Sequence, residues 1–339
     1  MKWKSKLVSS SLPLEYEAAK ILVSKRFAIT GDFAYARSDS GFVRDFSVDL
    51  YARGYLPFSN PNEILATLDL LVECKQRHSN INWLFFPDPN RPDFSPITLG
   101  ETLHPVDIFS RVFFHSNATI SFDKDVFFCY KGIEIDESKG NVYDSELKHG
   151  IAQLQYALPR LYTEKALHNV ANHPVDNHPF LFCSILLTTA DLVVAHKSLR
   201  TADVETSSSL KDIADQVPYL FLYSGYGPEF ESHCRKECAP LVKLSMTKSF
   251  HVVEAYRREN GEHDHLLPSV VAISLADGVR YELESHFTHF IVCTMRDFPS
   301  LIDRIKRIAA RAARNLKPSS TKSAEVSRMV ADYMESKSS

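Results

Sequence analysis

The chain has 339 residues, 44% of them hydrophobic, 24% charged and 11% aromatic, with a formal net charge of −3. Apolar content near the globular mean excludes a wholly disordered chain. The longest apolar stretch, 180–195, is broken by Ser184, Thr188, Thr189 and Asp191, so no run reaches the roughly 18 residues of a membrane-spanning helix.

The near-neutral charge lacks the basic excess that marks most nucleic-acid binders. Residues 1–14 carry lysines but no apolar segment followed by a small-residue cleavage site, which argues against a secretory leader. Four of the six cysteines (Cys74, Cys129, Cys183, Cys293) sit in apolar strand-like runs, where a thiol packs as a small hydrophobe. Cys234 and Cys238, beside His233, form a lone CxxxC pair with no second pair to complete a tetrahedral zinc site. A reduced, cytoplasmic protein without a membrane segment is therefore expected.

In chain order, Ser11 precedes Pro13 as an N-cap candidate. Residues 14–26 then place Leu14, Ala18, Ile21 and Leu22 on one helical face. A hairpin is expected over 27–55. Its turn is Ser38-Asp39-Ser40-Gly41, and Phe46, Val48 and Leu50 alternate with Asp45, Ser47 and Asp49. After a Pro- and Asn-rich loop at 57–62 come strands at 68–76 and 81–86. Pro87, Pro89, Pro92 and Pro96 open an insertion over about 87–142, with one strand at 126–135. Residues 146–167 carry a helical apolar face that Pro159 should end or kink, and 180–189 reads as a strand buried on both faces. Further strands are expected at 249–257, 269–275 and 288–294, then a helix at 298–316. The end, 317–339, is a Ser- and Lys-rich tail with one short helical stretch near 324–334. The order of elements predicts an α/β fold with a mixed sheet backed by helices. The division expected is a core over 1–225, an α/β extension over 226–316 and the polar tail.

Charged residues in so apolar a strand as Leu68-Asp69-Leu70-Leu71-Val72-Glu73-Cys74-Lys75 are costly unless paired or ligated. Strand alternation puts Leu71, Glu73 and Lys75 on one face and Leu70, Val72 and Cys74 on the other. If this strand pairs with the one carrying Asp49, two carboxylates and an ammonium converge. Such oxygen ligands suit Mg²⁺, which binds through one or two carboxylates, waters and substrate phosphate. The competing interpretation is an edge-strand Glu73–Lys75 ion pair with Asp49 ending its strand.

The sequence of a helix glutamate (Glu17-Ala18-Ala19-Lys20-Ile21-Leu22), a hairpin, a strand aspartate (Ser47-Val48-Asp49-Leu50-Tyr51-Ala52) and Val72-Glu73-Cys74-Lys75 on the next strand resembles the PD-(D/E)xK restriction-endonuclease-like superfamily, in its Mrr-like form. The likeness covers 11–86 and roughly 144–197. It implies a restriction-endonuclease-like core (helix, mixed sheet, helix, strand) with a long insertion. It also implies a Mg²⁺-dependent nuclease acting on DNA phosphodiester bonds, with Mn²⁺ as substitute and defence against foreign DNA as a role. Asp49, Glu73 and the backbone carbonyl of Cys74 would hold the metal, Lys75 would sit beside the attacking water, and Glu17 would reach the site from the helix, with Glu15 its rival. RNA, a homodimer or a partner protein are compatible with the same site. The insertion is longer than in the minimal fold, and Gln153 and Gln155 lack the spacing of the glutamine-and-tyrosine signature some members carry on the second helix. The alternative is a catalytically silent nucleic-acid-binding or structural subunit with a nuclease-like fold.

Two features lie outside that set. Arg304, Arg307, Arg311 and Arg314 recur at spacings of three and four, lining one helix face that can track phosphates or simply be solvated. His263 and His265 flank Asp264 after Gly261 in what reads as a surface loop, short of a metal ligand set.

Overall fold

The computed structural model describes residues 2–39, 42–59, 64–90, 103–112, 114, 126–171, 177–314 and 316. Its elements are α1 (Lys2–Ser9), α2 (Leu12–Ser24), β1 (Ala28–Asp39), β2 (Phe42–Leu56), β3 (Ala66–Lys75), β4 (Ile81–Pro87), β5 (His104–Val106), β6 (Phe128–Asp136), β7 (Asn141–Tyr143), α3 (Ser145–Ala171), β8 (Phe180–Thr188), β9 (Asp191–Ala195), α4 (Thr201–Thr206), β10 (Ala214–Val217), β11 (Tyr219–Tyr223), α5 (Pro228–Leu244), α6 (Lys248–Glu259), α7 (Pro268–Asp277), α8 (Arg280–Phe287), β12 (His289–Thr294) and α9 (Phe298–Ala313). The expected tail helix near 324–334, most of the hairpin turn and the centre of the 87–142 insertion lie outside the described residues.

Among the described residues twelve strands form one mixed sheet in the order β1-β2-β3-β8-β12-β11-β6-β4-β9-β10, with β5 on β8 and β7 on β6. The expected α/β class holds. β3, β8 and β12 run parallel at the centre, and all nine residues of β8 are buried, as its unbroken apolar run requires. Alternation along β3 divides the core as its sequence implies. Leu71 joins a cluster beneath α3 with Leu154, Leu158, Leu161 and Phe182. Leu70, Val72 and Cys74 join the opposite cluster with Leu14, Ala18 and Leu22 of α2 and Leu301, Ile302 and Ile305 of α9. The segment 226–316 adds β12 to this sheet, between β8 and β11.

Three expectations differ from the structure. Residues 249–257 and 269–275 are helical, in α6 and α7, not strands. Their β-branched residues are outweighed by spacing and caps: Phe250, Val253 and Arg257 are buried at helical intervals behind Thr247, whose hydroxyl accepts the Phe250 N–H. In α7, Pro268, Val271, Ala272 and Leu275 form the buried stripe, closed by Gly278 at φ 72°. Second, α3 runs unbroken through Pro159. An interior proline costs ~3 kcal/mol, but buried Leu154, Leu158, Leu161 and Tyr162 on either side contribute ~1.5–3 kcal/mol each, which offsets it. Third, Ser11 adopts a left-handed φ of 61° and makes no side-chain cap. Its hydroxyl instead accepts the Gln76 N–H at 3.2 Å, fastening the start of α2 to the end of β3.

Candidate active site

The hairpin ladder is regular from Asp39↔Phe42 to Phe33↔Val48 and resumes at Gly31↔Tyr51. β2 therefore carries one extra residue there, a bulge at Asp49 and Leu50, a device that re-aims side chains and recurs beside functional sites. On its other edge the β2–β3 ladder ends at Leu50↔Val72. In place of the next rung, Asp49 Oδ2 accepts the Cys74 N–H at 2.7 Å. Asp49 is thus held against the end of β3 by side chain rather than backbone.

Glu73, 1% exposed, takes the Lys75 ammonium on Oε1 at 2.7 Å. Its Oε2 is buried with no hydrogen-bond partner. Lys75 Nζ also donates to Gln153 Oε1 at 3.0 Å, and Gln153 Nε2 donates to the Ser47 carbonyl at 3.1 Å. One α3 side chain therefore ties the lysine to the hairpin. Gly150, a turn earlier on α3, lets the helix approach: a Cβ there would lie 3.1 Å from Lys75 Cε and 2.6 Å from Leu186 Cδ1. Thr188 Oγ1 donates to the Lys75 carbonyl at 3.0 Å from β8. Deeper in the same layer, Asp69 is fully buried and receives Lys165 of α3 at 3.0 Å. It also receives Arg53 Nε at 2.9 Å and the Tyr51 hydroxyl at 2.5 Å, so a satisfied polar network seats α3 on β3.

The acids of the cluster hold their protons unusually well. Burial, then the charge of Asp49, pushes the Glu73 carboxyl from 4.5 up to about 7, against the pull of Lys75. Glu15, in the first turn of α2, rises to about 7 through desolvation and then the charges of Asp49 and Asp32. Asp49 is raised by burial, against the Cys74 N–H and Lys75. The charge of Asp49 thus disfavours ionisation of both Glu73 and Glu15, with Asp32 acting in the same sense on Glu15 and Asp49.

The structure brings Asp49, Glu73 and Lys75 together and leaves Glu17 out. Glu17 is exposed, whereas half-buried Glu15 couples to Asp49. The helix acid of the cluster is accordingly Glu15. Gln153 and Gly150 belong to the site as well, but their contacts span the fold and leave no local mark in the sequence. Exposed His149 lies beside them, its imidazole kept below the usual range by partial desolvation and the Lys75 charge.

Elsewhere, the α9 stripe is uneven. Arg304 turns inward, its guanidinium over the Tyr219 ring and bonded to the Tyr219 hydroxyl, while Arg307, Arg311 and Arg314 are exposed. Cys234 and Cys238 are buried free thiols in α5, and His233 Nε2 meets the Tyr156 carbonyl at 2.8 Å. His263 and His265 stack on each other, both exposed, with ring centroids 5.7 Å apart.

Among the described residues no group of three or more His, Cys, Asp or Glu side chains is arranged to hold a metal ion, and no helix is long and apolar enough to cross a membrane. Magnesium requires fewer protein ligands, one or two carboxylates with the remainder water and phosphate. The unpartnered Oε2 of Glu73, beside an Asp49 likewise reluctant to ionise, is the kind of donor pair that a divalent cation relieves. Comparisons with protein-family models, with curated proteins and with solved structures returned no match.

Proposed function

We propose that the chain is a Mg²⁺-dependent nuclease that hydrolyses DNA phosphodiester bonds. The observation carrying this reading is Lys75, fixed by Glu73 and Gln153 at the mouth of an acid cluster that includes Asp49 and Glu15. The order of α2, the β1–β2 hairpin, β3, α3 and β8 supports the same restriction-endonuclease-like core that the motifs resemble. Asp49, Glu73 and the Cys74 carbonyl would hold the ion. Bound there, Mg²⁺ would supply charge neutralisation at the phosphoryl oxygens and acidify a water.

The chain's own residues account for the remainder. In the hydrolysis, the water oxygen forms a bond to phosphorus as the bond to the leaving sugar oxygen breaks. The water loses a proton and the leaving oxygen gains one. The Lys75 ammonium, oriented by Gln153, stabilises the charge gathering on the phosphate. Glu15, with its affinity for protons near neutrality, is suited to exchange one with water at the site.

The test is cleavage of plasmid DNA in Mg²⁺ by the wild type, with Lys75→Ala and Asp49→Asn each lowering the rate by about 100-fold or more while the far-ultraviolet circular dichroism is unchanged. An inert wild type, or variants that cut as well as it does, overturns the reading. A second reading, a nucleic-acid-binding subunit without turnover, draws on the closed Glu73–Lys75 ion pair at 2.7 Å. Calorimetry showing no heat of Mg²⁺ or Mn²⁺ binding would decide for it.

A further inference from the structure

The candidate site is acidic and so repels a phosphodiester chain, which makes the source of substrate affinity a separate question. On the hairpin, Phe33, Tyr35 and Arg37 lie on the same face as their partners Val48, Phe46 and Arg44. This is the face packed against α3, since Phe33, Tyr35 and Val48 belong to the cluster beneath that helix. At its outer end the Arg37 guanidinium is clamped between two rings, with Cζ 4.2 Å from the Phe46 centroid and 4.8 Å from that of Tyr156. Its Nε is buried with no hydrogen-bond partner. Both clamping groups are uncharged, and Arg37 makes no ion pair among the described residues. Arg44 stands directly across the ladder.

A half-buried arginine without an anion is costly, and two rings hold this one in a fixed orientation. Tyr156 follows Gln153 by three residues on α3, so the clamp sits about 5 Å further along the helix axis than the glutamine that holds Lys75. That distance corresponds to one or two nucleotides of a duplex strand, at ~3.4 Å of axis each. A guanidinium presents a planar fork that matches phosphate oxygens.

We propose that Arg37 is a phosphate contact that holds a DNA strand one or two nucleotides from the Lys75 cluster, along the seam where the hairpin meets the first half of α3. The proposal deepens the nuclease reading above and rests on it for the nature of the ligand. Arg37 is a positioning residue in this scheme.

The experiment is fluorescence anisotropy of a short labelled DNA duplex with the full chain in EDTA, where no cleavage occurs, at salt concentrations from roughly 50 to 200 mM. Arg37→Gln should weaken binding about tenfold at the low-salt end and make the log–log salt slope shallower by about one. Arg37→Lys, which keeps the charge and most of the stem, should retain the slope while recovering only part of the affinity, and it serves if the glutamine variant folds poorly. Unchanged affinity and slope in Arg37→Gln, or no duplex binding by the wild type, overturns the inference. If the wild type cleaves DNA while Arg37→Gln binds normally, only this inference falls. If binding depends on Arg37 but the wild type never cleaves, the phosphate contact stands and the nuclease reading falls.

Discussion

Replacing Glu73 by glutamine separates the cost of the acid cluster from its use. Glu73 is 1% exposed and its carboxyl is pushed from 4.5 to about 7. At ~1.4 kcal/mol per pH unit, that difference is worth ~3 kcal/mol. The sign follows from proton uptake: between about pH 4.5 and 7 the folded chain holds a proton on Glu73 that the unfolded chain has released. The associated stability is fully present below pH 4.5 and lost as pH rises through 7. Glu73→Gln keeps the shape and removes the ionisable group, while leaving Lys75 bonded to Gln153 and attracted to Asp49 and Glu15. The variant should therefore be more stable than the metal-free wild type by ~1–3 kcal/mol near pH 8 and equal to it near pH 4.5. Urea unfolding of both proteins across that range measures the difference, in which the titration of Glu15 and Asp49 largely cancels. Added Mg²⁺ should stabilise the wild type near pH 8 and leave the variant unmoved. A variant less stable than the wild type near pH 8, with the same pH profile, would refute the electrostatic reasoning.

Three further substitutions test the rest of the site. Glu15→Gln should slow DNA cleavage roughly 10–100-fold, as loss of a group supporting a metal site does, whereas Glu17→Gln on the exposed side of α2 should leave rate and stability unchanged; equal effects would return the helix acid to dispute. Gly150→Ala places a methyl 2.6 Å from Leu186 Cδ1 and 3.1 Å from Lys75 Cε. Overpacking of ~1–3 kcal/mol, less ~1 kcal/mol of helix propensity, leaves the fold intact by thermal melt. The displaced lysine should nevertheless cost tenfold or more in cleavage rate, and full activity would show that Lys75 tolerates the shift.

What was legible in the sequence follows from which interactions are local. The two-residue period of β3 assigns Glu73 and Lys75 to one face and Cys74 to the other, and the packing agrees. The helix acid is a different matter. Glu15 and Glu17 flank the buried stripe of Leu14, Ala18 and Leu22 on opposite sides, so the pattern cannot choose between them. The choice depends on Ser11 bonding to Gln76, a contact between distant parts of the chain. Gln153 joins the site only because α3 crosses the hairpin at Ser47. At 249–257 and 269–275 valine and isoleucine favour strands locally, whereas buried spacing and caps decide for helix. The bulge at Asp49 has no glycine within it on β2; the one glycine at the irregularity, Gly31 at φ 85°, lies across the ladder on β1.

The placement of β12 has a consequence for how the enzyme-like site comes into being. This strand lies between β8 and β11, and the Met295 N–H just after it reaches the Thr188 carbonyl of β8 at 2.8 Å, while Thr188 Oγ1 bonds the Lys75 carbonyl. The central rib of the sheet thus joins segments far apart in the chain, 66–75, 180–188 and 289–294. A chain that has paired β2 with β3 still lacks this support until β8 and β12 join, and pairing so distant in sequence is slow to form. The framework behind Lys75 is therefore complete only once three segments distant in sequence have come together, so the cluster is a late product of folding rather than a property of the β2–β3 pair alone.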